Sequence, residues 1–262
     1  MTLATLITLA GKVPLLGSIL RRIAHSYPEG SITTIRSGVG QGLKWRRYHR
    51  YVNGYWLGQY ELPLQLALRN AISPGMTVFD VGANAGFFSV IAAGLTGPTG
   101  KCVAFDPLTE NVASIREQFA LNGFAHGQVF EGAAGEENGR ASIAFQESNN
   151  AMAHLGTPGR DEKVIEVELL TLDEAMRRFG RPHVVKVGVE GAELAVLRGA
   201  ARLVQNFRPT WILEVHDPNL SGRIREALGM SYGLFTLEGD PIPLGDPLAS
   251  HVIARDNTSP SS

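Results

Sequence analysis

The run VFDVGANAGFFS at 78–89 constrains the fold more than any other stretch of the chain. It reads as a short apolar strand carrying Asp80 near its end, a turn bracketed by Gly82 and Gly86, and an apolar helix opening at Phe87. Small residues in such a turn, Gly82, Ala83 and Gly86 among them, let the backbone come close to a ligand. The helix that follows offers free N–H groups at its start. A strand, a glycine turn and a helix in this order belong in an open α/β sheet, where ligands sit beyond the carboxyl ends of the strands.

The remaining pattern agrees with such a sheet, because strand and helix patterns alternate after residue 60. ELPLQLALRNAI (61–72) predicts a helix whose inner side and rim are marked by Leu62, Leu66 and Leu68–Arg69, stopped by Ser73-Pro74-Gly75. Strands are expected at Thr77–Val81, Lys101–Phe105, 128–132, 141–146, 164–170, Val184–Val189 and Trp211–Val215, with a closing pair near 234–237 and 251–254. Helices are expected at Phe87–Leu95, Asn111–Leu121, 172–179, 192–204 and 221–228. Val112, Ile115 and Phe119 share one face of the third helix, which Asn122-Gly123 caps, and 192–204 turns Leu194, Leu197 and Val204 inward. The domain reading is an N-terminal extension over 1–60 packing on the core, one domain over 61–255, and a disordered tail over 256–262.

Composition narrows the function. Lys and Arg number 24 against 25 Asp and Glu, so no basic surplus argues for nucleic-acid binding. A single cysteine, Cys102, excludes an internal disulfide framework and a multi-cysteine zinc site, and suits a reducing, cytoplasmic setting. Glycine is in excess, 30 residues where an average chain of this length carries about 18. Residues 1–20 are strongly apolar, but Lys12, Pro14 and two glycines interrupt them and no cation precedes the run. They predict a short amphipathic helix ending near Arg21 and Arg22. Such a helix packs on the domain or a second subunit, or docks residues 1–22 on the inner membrane surface. KWRRYHRY (44–51) reads as a solvated strand or lid, with a sugar- or phosphate-binding edge as the alternative.

The turn itself separates two cofactor classes. A dinucleotide fingerprint starting at Gly82 demands glycine at 84 and 87, where this chain has Asn84 and Phe87. The spacing is instead D-x-G-x-N-x-G, with the Asp80 carboxylate just before the turn. A carboxylate there does nothing for a pyrophosphate but attracts a ligand bearing an amino group and a sulfonium. That ligand is S-adenosylmethionine. The next strand is followed by Asp106, twenty residues past Gly86, where an acid can hold both ribose hydroxyls.

With these motifs placed, the sequence resembles the FkbM-family methyltransferases over roughly residues 55–217. GQYE (58–61), the 78–89 loop, AFDP (104–107), Asn122-Gly123, EGAA (131–134), Asn138-Gly139, TLDE (171–174), KVGVEGAELAVLRGA (186–200) and LEVH (213–216) follow in the family's order. The resemblance implies a Rossmann-like class I methyltransferase fold: a mostly parallel seven-stranded sheet with an antiparallel last strand and helices on both faces. It also implies that Glu61 reaches the methionine part of the cofactor and that Ala133 neighbours the adenine. With Asp80, Gly82, Ala83, Asn84, Gly86 and Asp106 these residues make up the expected cofactor site. Two departures stand out. Asp106 replaces a usual glutamate, one methylene longer. Gly188 stands where the family pattern Lys-Ile-Asp-x-Glu-Gly has its aspartate, which removes a carboxylate and loosens a strand.

Methyl transfer needs an acceptor oxygen aligned with the methyl and a group to take one proton. Strand-end candidates are Glu190 and His216, with Lys186 to steady a carboxylate or the acceptor oxygen. The plainer roles are a helix N-terminal carboxylate for Glu190 and a hydrogen-bonded strand-end histidine for His216. His154, in a 147–160 loop with Asn149 and Asn150, is a further candidate, and no spacing argues for a metal. The resemblance implies O-methylation of a sugar, a glycolipid or another natural product, with a homo-oligomer as one assembly. A SAM-binding protein with weak or lost catalysis is the alternative that Gly188 raises. An N-methyltransferase or nucleic-acid methyltransferase is the other, against which stands the lack of an Asn-Pro-Pro-Tyr-type element.

Overall fold

A computed structural model of the chain describes residues 27–146, 149–155 and 163–257. The apolar segment 1–22 and most of the expected tail lie outside the described residues. The chain starts with a small antiparallel pair, β1 (Ile32–Thr34) and β2 (Lys44–Arg46), and continues into helix α1 (Leu62–Ala71). Then come β3 (Thr77–Val81), α2 (Phe87–Thr96), β4 (Lys101–Asp106), α3 (Thr109–Leu121), β5 (Gly127–Glu131) and the two-residue β6 (Ala133–Ala134). Strands β7 (Gly139–Gln146), β8 (Asn149–Leu155) and β9 (Lys163–Leu170) lead to α4 (Leu172–Phe179), β10 (Val184–Val187), α5 (Glu193–Arg198) and β11 (Thr210–Glu214). Helix α6 (Ser221–Leu228), β12 (Tyr232–Phe235) and β13 (His251–Asp256) close the fold.

Seven strands form the central sheet in the order β12-β13-β11-β10-β3-β4-β5. Neighbours from β5 through β11 pair in parallel, and β13 runs antiparallel to both β11 and β12. This is the expected class I methyltransferase sheet, last strand included. Every residue of β10 is buried, as are four of the five in β3, because helices cover both faces. One apolar layer gathers α1, α2, α3 and the 27–60 segment, and the other gathers α4, α5 and α6. Strand order reverses between β3 and β10, which opens a crevice at their carboxyl ends.

Several expectations shift. On α1 the buried side chains are Leu64, Gln65, Ala67 and Leu68, while Leu62 and Leu66 are half-buried, so the inner face is turned from the one expected. The strands near 141–146 and 164–170 do not join the main sheet. They pair with each other and with β6 and β8 in a separate four-stranded sheet. The helix expected over 192–204 breaks after Arg198. A Cβ on Gly199 would lie 1.9 Å from the Gly135 carbonyl, so another backbone crosses there, and the Asp173 carboxylate accepts the Arg202 and Leu203 N–H groups to restart the turn.

The basic-aromatic run is built into the fold. Trp45 is buried, and the side chains of Gln118 on α3 and of Asn122 at its C-cap each accept from and donate to the backbone of Arg46 and Lys44 respectively. Two side-chain amides thus do the work of a neighbouring strand for β2. No helix among the described residues is long and apolar enough to cross a membrane.

Candidate functional site

The crevice at the β3/β10 reversal is a cleft lined by Tyr60, Glu61, the 82–84 turn, Lys186, Gly188, Glu190 and Glu214, with Tyr55, Phe87 and Phe88 as its apolar wall. Gly82 has φ +77°, and a Cβ there would lie 1.8 Å from the Gly188 carbonyl. The two crossing backbones therefore require glycine at 82. Gly86 has φ +89°, and its Cβ would press on Ile115. Four non-glycine residues among those described have left-handed backbones, and three of them, Glu61, Asn84 and Glu190, line the cleft. Held strain of this kind concentrates where function needs it.

Asp80 lies beneath the cleft rather than in its wall. It is 1% exposed; its Oδ2 accepts from Ser89 Oγ at 2.5 Å, and its Oδ1 sits 3.2 Å from Lys186 Nζ. That second contact is an ion pair off the line of a hydrogen bond. The Lys186 ammonium also donates to the Gly82 carbonyl at 3.0 Å. The carboxylate expected to meet a cationic ligand is thus matched by a protein cation, and it fixes the turn through Lys186.

Asp106 also faces inward. Its Oδ2 accepts the Asn84 N–H at 2.8 Å, and its Oδ1 accepts from Leu108 N and Asn111 Nδ2 at 3.0 Å each. Burial pushes its pKa up to about 6 despite these three donors. The shorter side chain holds the loop and keeps little acceptor capacity for ribose hydroxyls. Ala133 opens β6, half-buried, just after Gly132, whose N–H bonds to the Asp106 carbonyl.

The acidic wall is the main discovery of the tertiary structure. His216 Nδ1 lies 2.6 Å from Glu193 Oε1, a carboxylate 1% exposed that also accepts the Gly191 N–H. Its Nε2 lies 3.3 Å from Glu190 and 3.4 Å from Glu214. Burial pulls the imidazole pKa down, but Glu193, Glu214 and Glu190 outweigh it and hold it above the ordinary value. Burial raises the Glu190 carboxyl, as it does Glu61, where Glu214 adds to the effect.

Gly188 gains an explanation here. A Cβ on it would lie 2.7 Å from Glu214 Oε2 and 3.2 Å from Lys186 Nζ. The space of the family aspartate is occupied by a carboxylate arriving from the next strand. Sequence reasoning missed Glu193, Glu214 and His251. Glu214 was legible as the residue two before His216, but His251 approaches only through strand pairing. His154 falls within β8, opposite Ala144, rather than in a loop, and its side chain lies outside the described residues.

The cleft fits S-adenosylmethionine on one local observation. Asn84, in the wall, carries a buried Oδ1 with no hydrogen-bond partner, an acceptor that a ligand's amine or hydroxyl would satisfy. The methyltransferase FkbM domain model matches residues 80–233, more than half of the chain. The chain belongs to the FkbM methyltransferase family. Its cofactor is therefore S-adenosylmethionine. Among solved structures, the FkbM methyltransferase of Methylobacillus flagellatus is 15% identical at a TM-score of 0.47, covering 79% of this chain and 53% of its own. This FkbM-family chain thus spans about half the length of that relative. Precorrin-6Y C5,15-methyltransferase of Geobacter metallireducens is 11% identical (TM-score 0.45, 74% and 87% covered). A putative rRNA methylase of Clostridium thermocellum is 9% identical (TM-score 0.45, 71% and 88% covered). No curated protein matches the sequence.

Proposed function

We propose that this FkbM-family protein transfers a methyl group from S-adenosylmethionine to a hydroxyl of a sugar, a glycolipid or another natural product. The observation that carries this reading is His216, oriented by buried Glu193 and touching two carboxylates, Glu190 and Glu214, that line the cofactor cleft. A hydroxyl acceptor must lose a proton, and this cluster is built to receive one. The cofactor, when bound, supplies an electrophilic methyl with a neutral thioether as leaving group.

The chain's own residues do the rest. Asn84, Glu61 and the glycine turn would hold the cofactor, with Tyr55, Phe87 and Phe88 keeping water from one side. Glu190, its pKa raised by burial, takes the hydroxyl proton more readily than an exposed carboxylate does. His216 stands within reach to share that proton, and Glu193 fixes its ring. Residues 1–22 favour a lipid-linked acceptor. The second reading, a SAM-binding protein with little catalysis, rests on Gly188.

Calorimetry with S-adenosylmethionine, followed by turnover assays against hydroxylated glycans, tests both. Turnover that His216→Ala abolishes while cofactor binding persists supports the first. Binding without turnover on any hydroxyl acceptor, restored by Gly188→Asp, supports the second.

A further inference from the structure

Glu214 and His251 are direct partners in the antiparallel β11–β13 pair, so their side chains rise from the same face of the sheet edge. Glu61 reaches the same point from the left-handed residue that precedes α1. One ligand atom from each of the three lies within 4.8 Å of the others. We propose that Glu61, Glu214 and His251 bind a divalent transition-metal cation of the Mn2+ or Zn2+ class at the wall of the cleft.

The donor chemistry points this way. Two carboxylate oxygens and one imidazole nitrogen suit Mn2+, Fe2+ or Zn2+. His251 Nε2 supplies an independent reason. It is closed off from solvent and makes no hydrogen bond, and its nearest acid, Glu61 Oε2, is 3.9 Å away. A buried ring nitrogen in that state lacks a partner. A cation among the three donors gives its lone pair one. On the far side of the ring, the Ser250 hydroxyl lies 3.4 Å from Nδ1, so Nε2 is the nitrogen aimed inward.

Charge and geometry agree. Glu61, Glu190, Glu193 and Glu214 crowd this edge of the sheet, while the Lys186 ammonium is already paired with Asp80. Three donors at most 4.8 Å apart leave their common centre about 2.8 Å from each, against metal–ligand bonds of about 2.0–2.2 Å. Closing that difference moves only the ends of two glutamate side chains and one ring. The site shares Glu61 and Glu214 with the proposed methyl-transfer cleft, but its ligand is the ion and not the acceptor.

The test uses the full chain, freed of metal with a chelator and titrated with Mn2+ while free Mn2+ is followed by electron paramagnetic resonance. One saturable ion per chain is expected. His251→Ala and Glu214→Gln should each weaken it at least about tenfold, and Glu136→Gln, on a distant surface pair, should not. Circular dichroism and thermal unfolding of each variant show that it is folded. Should His251→Ala fail to fold, His251→Gln replaces it. Wild-type protein with no site tighter than about 1 mM, or unchanged affinity in both folded variants, overturns the proposal. Loss of S-adenosylmethionine affinity in those variants, without Mn2+ binding in the wild type, also overturns it, assigning the cluster to the cofactor's amino group. Mn2+ binding in a protein that does not bind S-adenosylmethionine would uphold the metal site and remove the methyltransferase reading.

Discussion

Replacing Gln65 by leucine should cost the protein both stability and cofactor affinity. Gln65 is fully buried on α1. Its Oε1 accepts the Val39 N–H at 3.0 Å, and its Nε2 donates to the Gly58 and Tyr60 carbonyls at 3.1 and 2.7 Å. These bonds lock a tight crossing, because a Cβ on Gly58 would lie 1.9 Å from the Ser37 carbonyl. They also fix the turn that sets Glu61 in its left-handed conformation. Leucine orphans one amide, at about 1–3 kcal/mol, and takes the donor from two carbonyls, at about 0.5–1.5 kcal/mol each. Its additional apolar burial returns about 1 kcal/mol. The net loss is about 3 kcal/mol, a large share of the about 5–15 kcal/mol that holds a typical domain. Urea unfolding followed by tryptophan fluorescence measures it, and calorimetry measures the weaker binding of S-adenosylmethionine. Gln65→Glu should be worse at neutral pH, since it sets a carboxylate against two carbonyls, and should recover in part as acid supplies a proton. A Gln65→Leu variant within 0.5 kcal/mol of wild type, binding cofactor normally, would refute the reasoning.

Three further outcomes follow from the same structure. The Asp106 carboxyl, raised to about 6, binds its proton more tightly folded than unfolded, so its contribution to stability falls as pH rises from the ordinary carboxylate range through 6. Between pH 4.5 and 7 that fall amounts to about 2 kcal/mol, and Asp106→Asn should lose this component of the urea-measured pH slope. Lys186→Met strands the Asp80 charge and should cost about 3 kcal/mol or more, most of it recovered in the Lys186→Met/Asp80→Asn double variant by thermal unfolding. Glu193→Gln should lower the His216 titration midpoint seen by NMR. Because the raised imidazole pKa stabilises below its unfolded value and is lost as pH rises through the folded one, the variant's stability deficit should be larger at pH 6 than at pH 9.

Local pattern determined much of this protein by itself. The strand, glycine turn and helix at 77–96 were legible because hydrophobic period and turn chemistry are properties of neighbouring residues. So were α4 and α6, which fall where the pattern places them. The ordered motifs carried the family and hence the cofactor. The second sheet was not legible, since half-buried strands read alike whichever partner they choose. Nor was the break at Gly199, which depends on a chain segment more than sixty residues earlier crossing over it.

The site divides in the same way. Glu190, His216 and Lys186 stand on strand ends that the sequence reveals, but their partners do not. Asp80 and Asp106 look in sequence like ligands waiting for a cofactor; tertiary packing spends them on Lys186 and on the Asn84 loop. Gly188 looks like a lost carboxylate until Glu214 is seen in its place. His251 meets Glu214 only because antiparallel pairing sets two strands in one register, thirty-seven residues apart in the chain. Which residue types this chain carries, and which turns they make, follows from local stereochemistry. Which charges face the cleft follows from how separate strands and loops pack, and that information is held in distances through space.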